Sequence, residues 1–238
     1  MPGDAGCDRR WWESPASGKD MLVVACTVIP FGMLGYYGAE HVVSRQIAAG
    51  VYPYWPHLSV DDHIPFVAHF VWPYIAYYPL LLLSLLVGLR SRLELFRVGY
   101  AFVVVTLAAW VTFVLWPSKM EQANLDGCWS LSCAMVERIY DLDPGYNIFP
   151  SLHAAHALMV WLFFMAVGSK MRWWVGGLSA SIIASTVLIK QHYLIDVPVG
   201  LLYGAGAAYV ARETAWPLLE RLSAWRTWLP IARDTQAT

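Results

Sequence analysis

The chain has 238 residues, of which 58% are hydrophobic, 15% aromatic and only 14% charged, against about 25% charged in an ordinary soluble domain. That composition excludes a soluble globular domain and points to a chain that lives in a membrane. Sixteen Lys and Arg against 17 Asp and Glu leave a net charge of −1, so no basic surface exists to neutralise a nucleic-acid backbone, and no nucleic-acid partner is expected.

A helix needs about 20 apolar residues to cross the hydrocarbon. In chain order, six stretches approach that length with little or no charge: residues 21–38, 65–89, 98–116, 151–168, 175–189 and 193–211, the last holding Asp196. No stretch alternates apolar with polar residues, which disfavours a membrane barrel. The expected fold is all-α, an integral-membrane bundle of six transmembrane helices. Residues 1–20 read as an N-terminal tail, 21–211 as the catalytic membrane domain and 212–238 as a second tail. Within that tail WPLLERLSAWRTWLPIAR reads as an interfacial helix, with Trp216, Trp225 and Trp228 near the headgroups. The first apolar run reads as an uncleaved span, since no small-x-small cleavage site follows it cleanly.

Six spans put both termini on one face. Only four of the sixteen Lys and Arg, namely Arg45, Lys119, Arg138 and Lys190, fall on the opposite face, so the termini are expected in the cytoplasm of a multi-pass cell-membrane protein. The other face carries residues 39–64 and 117–150. Cys128 and Cys133 lie in the second of these. They read equally well as a small-loop disulfide in an oxidising compartment or as two free thiols.

Ionisable residues at membrane depth are costly and mark function, and here they gather at the non-cytoplasmic boundary. Ser151 follows a proline and opens an apolar run, an N-cap signature. The free N–H groups of that first turn and the helix dipole suit a phosphate, and His153 in the same turn is placed to act as an acid once a phosphate binds. A capping serine and an interfacial histidine are the plain alternative. His192 and Asp196 are four apart, so one helical turn brings them to the same face. A carboxylate that accepts one ring N–H leaves the opposite ring nitrogen free to attack. Pro198 offers a different reading of Asp196, as a cap of the last span. Lys119 and Lys190, with Arg138, are expected to supply positive charge for an anionic substrate, although lysines near span ends also snorkel. His153, His156, His192 and Asp196 can alternatively be read as zinc ligands.

The segments NIFPSLHAA (residues 147–155) and STVLIKQHYLIDV (residues 185–197) resemble two motifs of the type-2 phosphatidic acid phosphatase superfamily. They are closest to its branch of inositol-phosphorylceramide synthases and sphingomyelin-synthase-like phosphotransferases. Asp62-His-Ile-Pro-Phe66, ahead of an aromatic span, is also similar to that branch. The resemblance implies that His192 attacks phosphorus to form a phosphohistidine, that Asp196 orients it and that His153 protonates the leaving group. It further implies a six-helix core, a mechanism without metal or cofactor, and a site facing away from the cytoplasm; Ser151, Lys190 and Lys119 are expected around the phosphate from the N-cap and charge arguments above.

The chain departs from the superfamily pattern at three places. Lys119 is followed by Asp126-Gly127 where the family has Arg-Pro, Leu152 stands for a glycine, and Thr186 stands for an arginine. Two arginines that would clamp a phosphate are missing, and a lysine point charge does not reproduce their fork. That makes a phosphodiester or headgroup donor a candidate substrate. The expected function is therefore an enzyme acting on a lipid phosphate or phospholipid, as a phosphotransferase or as a phosphatase of phosphatidate, phosphatidylglycerophosphate or polyprenyl diphosphate. A transporter or binding protein using His192 and Asp196 as a proton relay is the outside reading.

Overall fold

Four serines fix where helices begin. Ser17, Ser91, Ser130 and Ser151 each accept, at the hydroxyl oxygen, a hydrogen bond from the backbone N–H three residues on. This is the N-cap arrangement that satisfies one orphan donor of a helix. The structure, a computed structural model, describes residues 11–226. Its α-helices in chain order are α1 (Gly18–Ala48), α2 (Val71–Ile75), α3 (Tyr77–Leu83), α4 (Arg92–Leu115), α5 (Leu131–Leu142), α6 (Leu152–Ala166), α7 (Arg172–Leu188) and α8 (Asp196–Arg226). Among the described residues there is no strand. Two isolated bridges, Tyr54 with Ser118 and Lys119 with Tyr146, tie loops together at one end.

Three helical stretches, Gly18–Ala48, Ala68–Leu89 and Arg92–Leu115, are long and apolar enough to cross a membrane. The other three expected spans do not meet that measure. α6 and α7 have only 15 and 17 residues, and α8 starts on a carboxylate and carries Arg212 and Glu213 further along.

The boundaries differ from expectation where packing overrides composition. α1 continues past Gly38 to Ala48 because Ala39 and Val43 are buried against Ala109 and Phe113 of α4. The run 65–89 is broken into α2, α3 and 3-10 turns, since Pro73 and Pro79 lack the N–H donors a continuous helix requires. α5 lies in the segment 117–150 outside the expected spans; Ser130 caps it, and Val136 on its inner face packs with Val71, Tyr74 and Ile189. The C-terminal stretch expected as a separate helix is instead continuous with the last span: α8 runs unbroken from Asp196 to Arg226, and Trp216 on it packs edge-on against Trp12 at 5.4 Å. Trp228 lies outside the described residues.

α6 is apolar all round and sits at the centre, packed against α3, α4, α7 and α8. Its closest neighbour is α8. A Cβ on Gly200 or Gly204 would run into the carbonyl oxygen of Ser151 or Ala155, inside any real contact distance. These two glycines, four apart, let the backbones touch in the manner of small-residue membrane helix pairs. The crossing joins the starts of both helices, and Ser151 N–H donates to the Asp196 carbonyl at 3.2 Å.

Candidate active site

The turn between α7 and α8, residues 189–195, carries His192 and is held by Tyr140, Trp55 and the 61–64 turn. The Tyr140 hydroxyl donates to the Ile189 carbonyl at 2.6 Å, and the Trp55 indole N–H donates to the Tyr193 hydroxyl at 2.6 Å. Burial pushes the Tyr140 hydroxyl up to about 12, so it remains a donor. The buried Asp61 accepts from Leu194 N–H at 2.8 Å. Lys190 Nζ donates to the carbonyls of Asp61 (3.0 Å) and Ile64 (2.7 Å).

Held this way, His192 presents a defined tautomer. Its Nδ1 lies 2.8 Å from the Ile148 carbonyl oxygen and 3.3 Å from Asp196 Oδ2. Both neighbours are acceptors, so Nδ1 carries the hydrogen and Nε2 keeps its lone pair. Asp196 is fully buried and its Oδ2 also accepts from Tyr193 N–H at 2.9 Å. The pair does not share a helical turn. His192 sits in the connecting turn and Asp196 is the first residue of α8, so the carboxylate beside the ring and the start of the last helix are one residue.

His153, in the first turn of α6, has its ring centroid 6.0 Å from that of His192. Tyr74 and Tyr77 stack on it at 4.5 and 4.3 Å, and its Nε2 is buried with no hydrogen-bond partner among the described residues. His156, one turn deeper, has both ring nitrogens engaged, Nδ1 with the Tyr77 hydroxyl at 2.6 Å and Nε2 with Thr106 at 3.5 Å.

His153 and His192 line one end of a cavity of about 290 Å³. From there it runs between α1 and α3, past Val24, Val28 and Leu81, to Leu85 and Val98. The other expected site residues lie outside its wall. Ser151 is the N-cap of α6, with its hydroxyl oxygen taken by Ala154 N–H at 3.3 Å. Lys190 is committed to the 61–64 turn, and Lys119 Nζ sits 5.8 Å above the Tyr146 ring. Arg138 is exposed beside Asp141 at 3.8 Å. Among the described residues no Lys or Arg lines the cavity, so the positive charge expected from these residues is not at its wall.

The cavity wall instead holds Asp143, Asn147 and Gln191, to which sequence reasoning gave no role. Asp143 Oδ2 accepts from the Tyr36 hydroxyl at 2.6 Å and its Oδ1 accepts from Gly145 N–H at 3.1 Å. Burial pushes its carboxyl up, against the pull of those two bonds. Tyr36 is 107 residues away, and no local pattern announces such a pairing. Asn147 and Gln191 did carry a signal, since each belongs to a motif segment that contains a candidate histidine. Cys128 and Cys133 are joined in a disulfide.

Residues 113–219 match the PAP2 superfamily. That stretch contains Lys119, Ser151, His153, Lys190, His192 and Asp196, while α1 and the run 68–89, which also line the cavity, precede it. No curated protein and no solved structure matches the chain.

Proposed function

We propose that this protein is an integral-membrane enzyme that cleaves a lipid phosphoester through a phosphohistidine on His192 and passes the phosphoryl group to a second alcohol or to water. The superfamily match supports phosphatase- or phosphotransferase-type chemistry. The observation that carries the mechanism is the tautomer of His192: with Nδ1 turned to Ile148 and Asp196, Nε2 is the nitrogen left for a substrate in the cavity.

In the first step the Nε2 lone pair forms a bond to phosphorus while the bond from phosphorus to the lipid oxygen breaks. Protonated His153 gives its proton to that leaving oxygen. In the second step His153 takes a proton from the acceptor hydroxyl, whose oxygen attacks phosphorus and releases His192. Asp196 holds the ring and balances the positive charge that develops on it. Tyr74 and Tyr77, stacked on His153, keep it facing His192.

The lipid nature of the substrate is supported by the apolar run of the cavity between α1 and α3. An acyl or isoprenoid chain there places its phosphate at the His192 end. The motif segments 147–155 and 185–197 favour transfer to an alcohol, as in inositol-phosphorylceramide-synthase-like enzymes. The second reading, a lipid phosphate phosphatase, differs only in the acceptor. Incubating the purified protein with phosphatidate and with headgroup-bearing phospholipids, each with and without ceramide, tests both. Diacylglycerol release that depends on His192 supports the common mechanism, and dependence of that release on ceramide identifies a transferase. Equal release by wild type and His192→Ala overturns the mechanism.

A further inference from the structure

The His192 end of the cavity combines two features that ordinary packing does not explain. Among the described residues no Lys or Arg lines it, and it buries neutral amides without a hydrogen-bond partner. Asn147 is 2% exposed and Gln191 is 3% exposed. Both amide atoms of Asn147 and the Nε2 of Gln191 have no hydrogen-bond partner among the described residues. Both residues line the cavity beside His153 and His192. Burying an amide without a partner is costly, and such groups persist where a ligand supplies the missing bond.

The backbone is bent to place them. Asn147 has φ +57° and Lys190, the residue before Gln191, has φ +54°. The left-handed region is unfavourable for side-chain-bearing residues, and Asn enters it more readily than most. Strain of this kind collects at ligand-binding sites, where the surrounding structure holds it. Here Asn147 precedes Ile148, whose carbonyl takes the His192 ring hydrogen, and Gln191 directly precedes His192. Each amide is thus tied by the chain to the nucleophile.

Resting on the reading of His192 as the nucleophile, we propose that the carboxamides of Asn147 and Gln191 bind the phosphoryl oxygens of the substrate, and that the enzyme therefore takes phosphodiesters in preference to phosphomonoesters. A phosphomonoester carries up to two negative charges and calls for cationic partners. Among the described residues no Lys or Arg lines the cavity, which leaves the protonated His153 of the proposed mechanism to carry a single positive charge, and Asp143 stands in the same wall. A phosphodiester carries a single charge over two free oxygens, which two neutral N–H donors and the His153 ring can satisfy without a buried net charge. Donors fixed in place also meet the charge that builds on those oxygens in the transition state.

The test uses full-length protein in detergent, with and without ceramide as acceptor, and diacylglycerol release from lipids of identical acyl chains. Phosphatidate is the monoester, and phosphatidylinositol, phosphatidylglycerol, phosphatidylethanolamine and phosphatidylcholine are the diesters. Wild type is expected to show a kcat/KM for its best diester at least about 10-fold above that for phosphatidate. Gln191→Met keeps size and shape, and Asn147→Gly suits the left-handed backbone. Each is expected to lower diester turnover by about 30-fold or more, on the scale of losing one oxyanion donor. Gln191→Arg is expected to raise phosphatidate turnover relative to the diester. Asn147→Asp, which has the same size, replaces a donor by a repelling carboxylate and is expected to abolish diester turnover, a second check should the glycine variant fold poorly. Phosphatidate preferred over every diester, or Gln191→Met and Asn147→Asp both within 2-fold of wild type while His192→Ala is inactive, overturns the amide clamp and leaves the proposed function standing. Diacylglycerol release no faster in wild type than in His192→Ala overturns the proposed function itself.

Discussion

At the scale of single residues the chemistry rests on which His192 nitrogen is free. His192→Ala removes the proposed nucleophile and is expected to abolish turnover, and His192→Asn is expected to behave alike, because neither side chain forms a bond to phosphorus. Asp196→Asn keeps the shape but weakens control of the tautomer, since the Ile148 carbonyl alone then fixes Nδ1; a loss on the order of 10²-fold or more in kcat is expected. The measurement is steady-state release of diacylglycerol by each variant. Asp143 gives a prediction in pH. Burial raises its carboxyl above the ordinary carboxylate range, so between the ordinary and the raised value the folded protein binds more protons than the unfolded one. Stability is greatest at the acid side of that window and falls as pH rises through it. Asp143→Asn is expected to flatten that decline, as read by thermal melts in detergent at a series of pH values.

Helix contacts decide whether those residues meet. Gly200 and Gly204 allow α8 to lie against the first turns of α6, which brings Asp196 to Ser151 and His192 to His153. Gly200→Ala forces a methyl group into the Ser151 carbonyl and is expected to cost about 1–3 kcal/mol by overpacking, seen as a lower melting temperature together with lost activity. Gly206→Ala, on the same helix with open space around its Cα, is expected to leave both unchanged. This level was the least legible in the sequence. The apolar runs, the serine caps and the His192–Asp196 spacing were readable because each is local. The breaks at Pro73 and Pro79, the existence of α5, and the Gly200–Gly204 contact depend on what packs alongside. Lys190 shows the same limit from the other side: its charge and position suited a phosphate, but two loop carbonyls 126 and 129 residues away claim its ammonium group.

For the molecule as a whole, the turn carrying His192, the start of α6 and the loops containing Tyr54 and Lys119 share one end of the bundle. From the Lys and Arg bias we propose that this end faces away from the cytoplasm. Tyr52 is 96% exposed in one of those loops, and Lys170 lies in the exposed turn between α6 and α7 at the other end. In a background lacking the native cysteines, Tyr52→Cys is expected to react with a membrane-impermeant thiol reagent in intact cells, and Lys170→Cys only after permeabilisation. The reverse pattern would put the chemistry at the cytoplasmic leaflet. Covalent transfer from a lipid through His192 is most directly tested by a single turnover. Reconstituted protein in excess over phospholipid, quenched in alkali to preserve phosphohistidine, is digested and its peptides weighed. The expected result is a phosphoryl or headgroup-phosphoryl adduct on His192, formed as diacylglycerol appears and absent from His192→Ala. Diacylglycerol formed without that adduct, or an adduct on another residue, would contradict the mechanism.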